Sequence, residues 1–70
     1  MAEKISIQTP FIKLDALLKF AGLVQSGGEA KAFILEGLVE VNGETCLQRG
    51  RKIKPGDRVT VGPDELEVSK

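Results

Sequence analysis

The feature that most constrains this chain is a change of hydrophobic period at Gly37. Before it, Leu14, Leu17, Leu18 and Ala21 fall at i, i+3, i+4 and i+7, which is one stripe of a helix, and Ala30, Phe33 and Ile34 begin a second stripe. After it the period is two. Val39 and Val41 share a face, Asn42-Gly43 is the dipeptide that a two-residue hairpin turn demands, and Arg58-Val59-Thr60-Val61 alternates again. Helical and extended segments are therefore grouped rather than interleaved, which predicts α+β instead of alternating α/β. The expected architecture is two short N-terminal helices packed on a small, mostly antiparallel sheet of four or five strands.

Punctuation sets the boundaries. Lys4-Ile5-Ser6-Ile7 suits a short strand, and Thr9-Pro10 interrupts it before the first helix, which Gly22 is suited to end. Asp15 near that helix start reads as a capping residue facing the partly positive helix end. Ser26-Gly27-Gly28-Glu29 is a capping box, in which the Ser oxygen accepts the amide of Glu29 and the Glu side chain reaches back. The second helix then runs over 27–36, with Gly37 as a left-handed stop. The tight connection 23–26 pairs the two helices as a hairpin. A returning strand is expected over 44–47, Pro55-Gly56-Asp57 makes a turn, and Gly62-Pro63-Asp64 makes another before Leu66 and Val68.

Seventy residues make a single small domain over 1–70, near the size where one core just offsets the entropy of ordering the chain. With no His, neither a Ser–His nor a Cys–His nucleophile pair can be built, and the usual metal-ligand sets are missing. No phosphate-loop or dinucleotide glycine pattern is present. No enzyme, no cofactor and no metal site is expected. Cys46 cannot form an internal disulfide and reads as a small, half-buried apolar residue in a strand. No segment resembles a signal peptide or a bilayer span, so a cytoplasmic location without membrane contact is expected.

Formal net charge is zero, an unpromising start for a polyanion binder. The average hides a separation. Residues 49–58 hold Arg49, Arg51, Lys52, Lys54 and Arg58 against Asp57, whereas residues 29–48 hold four Glu against Lys31. In an extended segment Arg49 and Arg51 would point one way and Lys52 and Lys54 the other, with Ile53 tucked inward; a loop would relax this. Such a ridge suits phosphates, and equally a solvated hairpin. Phe11, Phe20 and Phe33 read as core rather than as a platform for unpaired bases. If nucleic acid is bound, backbone contact with a structured stem fits better than a splayed single strand.

Taken in order, Lys13-Leu14-Asp15-Ala16-Leu17-Leu18, Ser26-x-x-Glu29-Ala30-Lys31, Gly37-x-Val39-x-Val41-Asn42-Gly43 and Lys54-Pro55-Gly56-Asp57-x-Val59 resemble the ribosomal-protein S-four RNA-binding domain, the alpha-L motif, over residues 11 to about 61. The short flanks resemble the small stand-alone bacterial members of the YbcJ and YaaA kind. The resemblance implies a non-catalytic module that contacts structured RNA, such as ribosomal or transfer RNA stems, in the manner of an assembly or accessory factor. It implies an RNA-binding set of Lys13, Ser26, Lys31, Asn42, Gly43, Arg49, Arg51, Lys52 and Lys54. A monomer is expected, with a ribosomal or RNA-modifying protein as a further partner. Gly27-Gly28 departs from the family, where a basic or hydroxyl side chain is common, as does the neutral overall charge. Two other readings stay open: a protein-interaction adaptor, and a ubiquitin-like carrier, which the ending Glu67-Val68-Ser69-Lys70 disfavours because it lacks the reactive Gly-Gly.

Overall fold

A computed structural model describes residues 2–70. The order of elements is β1 (Ala2–Ser6), β2 (Ile12–Lys13), α1 (Leu14–Phe20), α2 (Gly27–Leu35), β3 (Val39–Val41), β4 (Glu44–Thr45), β5 (Lys52–Ile53), β6 (Arg58–Val61) and β7 (Asp64–Ser69). The class is α+β, as the grouping of periods predicts. Two details differ from the expected architecture. The helices follow two strands instead of opening the chain, and the strands divide between two sheets, one of five strands ordered β1-β7-β6-β3-β4 and one made of β2 and β5. In the larger sheet only the β1–β7 pairing is parallel; the other three are antiparallel.

Both helices end by the same device. The amide of Gly22 donates to the Lys19 carbonyl and that of Leu23 to Leu18, while the amide of Gly37 donates to Ile34 and that of Leu38 to Phe33. These are paired Schellman bonds, and they require a left-handed residue, supplied by Gly22 at φ +78° and Gly37 at φ +77°. The helices are therefore stopped by backbone geometry at the expected glycines. At the hairpin, Val41 pairs with Glu44, leaving Asn42 (φ +53°) and Gly43 (φ +85°) as a turn with two left-handed residues, the mirror-image turn whose twist matches the strands. The returning strand is shorter than expected, covering Glu44–Thr45 with one further ladder bond from the Cys46 amide to the Val39 carbonyl.

One face of the five-stranded sheet and the apolar stripes of α1 and α2 close a single core. Leu14, Leu17, Leu18, Ala30, Ile34, Val39, Ile53 and Val59 are wholly buried, and Cys46 is buried among them. Burying each large aliphatic side chain contributes roughly 1.5–3 kcal/mol. Strand alternation sends Lys4, Glu40, Arg58, Thr60, Glu65 and Glu67 to the opposite face of the sheet, and no other layer of the described residues covers them. The aromatics are a correction. Only Phe33 packs against the core; Phe20 is 65% exposed and Phe11 37% exposed. At 100° per residue Phe20 falls roughly 110° away from the centre of the Leu14–Leu17–Leu18–Ala21 stripe, so helical geometry turns it to solvent.

Candidate nucleic-acid interface

The basic stretch gains its geometry from the smaller sheet. β2 and β5 pair antiparallel with Ile12 opposite Ile53 and Lys13 opposite Lys52. Ile53 is wholly buried, so this isoleucine pair anchors the ribbon to the core and alternation turns both lysines outward. Two ammonium groups thus face each other across a strand pair, an arrangement that costs stability rather than adding it. No carboxylate relieves them: the ion pairs among the described residues run from Arg58, to Glu65 at 3.8 Å and Glu67 at 3.5 Å. Lys52 instead places its Nζ 4.9 Å from the centroid of the Phe11 ring, a cation–π contact on the lysine-bearing side of the ribbon.

The preceding loop is stitched to the start of α1. Lys13, at the N-cap position, makes no side-chain cap, so the first amides of the helix need other acceptors. The Leu14 amide donates to the Arg51 carbonyl at 2.9 Å and the Asp15 amide to the Arg49 carbonyl at 3.1 Å, while Arg51 donates its own amide to Gln48. Asp15 makes only a local bond, its Oδ1 accepting the Ala16 amide, which leaves the expected capping role to the loop carbonyls. Arg49 and Arg51 thus have their backbones held against the helix start that follows Lys13, and both side chains are exposed. Two segments far apart in sequence thereby converge, 11–15 and 49–53.

The other candidates occupy distinct places. Lys54 is exposed at the end of β5; its amide donates to Asp57 Oδ2 at 2.8 Å and its carbonyl accepts the Asp57 amide at 2.9 Å, closing the turn over 54–57. Asn42 is engaged within the protein. Its Nδ2 donates to Asp57 Oδ1 at 3.1 Å, its Oδ1 accepts the Arg58 amide at 2.9 Å, and its own amide donates to the Arg58 carbonyl at 2.7 Å. Gly43 completes the hairpin turn in open space. Ser26 is spent on the capping box, its Oγ accepting the Glu29 amide at 3.2 Å, and Glu29 reaches back one residue further than expected, to the Gln25 amide at 3.2 Å. Lys31 is exposed on α2, and no hydrogen bond or ion pair among the described residues ties it to the lysine ribbon. Arg58, the fifth base of the charged stretch, sits on the opposite sheet face with its two glutamates.

Phe11 belongs to the ribbon although the sequence reading placed it in the core. The available signal was parity: Ile12 faces inward, so Phe11 and Lys13 on either side of it share the outward direction. None of the helices among the described residues is long and apolar enough to cross a membrane.

The chain that carries this arrangement has counterparts among known proteins. The chain is 49% identical over 61 residues to a Bacillus subtilis (strain 168) protein named "Probable ribosome maturation protein RlbA", covering 87% of this chain and 86% of that one. It is 36% identical over 59 residues to the Escherichia coli (strain K12) protein named "Putative RNA-binding protein YbcJ", covering 84% of each. The family model described as S4 domain matches residues 5–69, from the last two residues of β1 through the helices, the ribbon and the hairpin to the end of β7. With a match over nearly its whole length and relatives of equal size, the chain belongs to the S4 domain family.

Proposed function

We propose that this protein binds structured RNA without catalysing a reaction on it, through the face built from Lys13, Arg49, Arg51, Lys52 and Lys54, and that it serves ribosome maturation in the cytoplasm. The observation that carries the reading is the opposed Lys13–Lys52 pair. Like charges held in register on a solvent face, with no carboxylate partner, weaken the free protein and are relieved by a polyanion. Separation of Arg58 onto another face, paired with Glu65 and Glu67, leaves the ribbon uniformly cationic although the molecule is neutral. The names of the two relatives, one a ribosome maturation protein and the other an RNA-binding protein, agree with this ligand class.

In this reading the residues divide by task. Lys13, Lys52, Arg49 and Arg51 contact phosphates, Lys54 extends the track, and Lys31 adds a contact from α2. Ser26, Asn42 and Gly43 hold the turns and the helix start that aim those side chains. The test is a salt titration of binding to a stem-loop RNA and to an unstructured single strand. Stem-preferring binding with a log–log slope of about −2 to −4, as expected when three to five of these six basic side chains sit on phosphates at once, supports the proposal. Equal affinity of the native chain and a Lys13→Glu/Lys52→Glu double variant for the stem-loop would sink it.

A further inference from the structure

The open face of the sheet is polar along most of its width and apolar at one end. Because the Cys46 amide bonds the Val39 carbonyl, the β3–β4 register continues one step past β4 to Val39 and Cys46, and one step further along the same register sets Leu38 opposite Leu47. Both lie on the side away from the core, at 49% and 55% exposure, and Leu35 in the last turn of α2 is 56% exposed. Three large aliphatic side chains more than half or nearly half in water, Leu38 and Leu47 at the edge of the sheet and Leu35 three positions before Leu38 across the Gly37 turn, form a patch that a monomer does not need for its own stability. Acid borders it on two sides, Glu36 directly after Leu35 and Glu40 two positions beyond Leu38, both exposed, while Lys31, one helical turn before Leu35, and Arg49, two residues beyond Leu47, mark its basic limits.

We propose that Leu35, Leu38 and Leu47 form a docking surface for a basic protein segment, one whose own apolar side chains cover the leucines while its Lys and Arg residues meet Glu36 and Glu40. The acidic rim selects the occupant. A second copy presenting the same face would set its glutamates against these, and an RNA seated on the leucines would meet Glu36 and Glu40. Position adds a further constraint. Leu47 is two residues from Arg49, no more than about 7 Å of extended chain, so a segment seated on the leucines lies beside the cationic loop. A basic protein already bound to RNA presents both chemistries side by side, an apolar and basic segment for this patch and phosphates for the ribbon. The patch itself uses no residue of the RNA face and stands independently of that reading.

The experiment places a photo-crosslinking amino acid at Leu47, and as a control at Thr60 in the middle of the open sheet face, in the full chain expressed in cells of its source organism. Crosslinked peptides are identified by mass spectrometry and the captured protein is purified for direct binding. The expected result is crosslinking from position 47 and not from 60, to a Lys- and Arg-rich segment of a single protein. Its affinity should fall at least tenfold in a Leu38→Ser/Leu47→Ser variant and severalfold in Glu40→Lys, with stem-loop RNA binding and circular dichroism unchanged in both. Crosslinks to RNA, to a second copy or to an acidic segment, equal crosslinking from both positions, or none at position 47 would overturn the proposal. Loss of RNA binding in the native chain would count against the RNA reading alone.

Discussion

Lys52 shows how one side chain serves two environments. Its ammonium lies over the Phe11 ring, and Lys13 stands opposite it across the ribbon. Lys52→Glu converts the repulsion into an ion pair and removes a phosphate contact. The folded state should therefore melt at an equal or higher temperature, while the log–log salt slope of stem-loop binding flattens by about 1 or more. A thermal melt and a salt titration on one sample check both halves. Asn42 gives the opposite pattern. Three hydrogen bonds join its backbone and amide to Asp57 and Arg58, and its φ of +53° suits Asn better than a residue with no side-chain acceptor. Asn42→Ala should cost about 1–3 kcal/mol in urea unfolding and leave the salt slope of the folded protein where it was. A flattened slope would place the Asn42 side chain on RNA instead.

At the scale of elements, the glycines differ in what they permit. Gly22 ends α1 in the left-handed region, so Gly22→Ala should destabilise by about 1–2 kcal/mol. Gly28, in the first turn of α2, has no such backbone need, and the nearest atom to an added Cβ is Ser26 Oγ at 3.9 Å. Gly28→Ala should stabilise by roughly 0.5–1 kcal/mol, and chemical denaturation of the two variants side by side tests the contrast. Much of this level was legible beforehand. Helix spacing, the capping box, the two glycine stops and Asn42-Gly43 are local signals, each decided within a few residues, and each reappears within a residue or so of its expected place. The ribbon was not legible. β2 and β5 are two residues each, too short to show a period, and they exist because Ile12 and Ile53 meet across a separation of 41 positions. For the same reason the sequence could nominate Lys13 and the 49–54 bases separately but not bring them together, nor detach Arg58 from them. Phe11 and Phe20 are exposed because parity and helical angle, not aromatic character, set the direction of their side chains.

Considered whole, the molecule has one core and little surplus. At about 0.05–0.15 kcal/mol per residue, a chain of 70 residues has a stability of roughly 3.5–10 kcal/mol. Leu17, wholly buried on the inner face of α1, belongs to that core. Leu17→Ala should remove about 2–5 kcal/mol, enough to leave a large unfolded fraction near 37 °C, readable as a fall in melting temperature of ten degrees or more. An unchanged melt would mean that the core is less interdependent than its single cluster indicates. The parallel pairing of β1 with β7 carries a consequence for how such a molecule comes into being. Ala2–Ser6 finds its register only against Glu65–Ser69. During synthesis the first strand leaves the ribosome with its partner still untranslated, and it waits, unpaired, through the making of everything between. The helices and the Asn42-Gly43 hairpin can form as they emerge, but the sheet closes last, after residue 69 has cleared the exit tunnel.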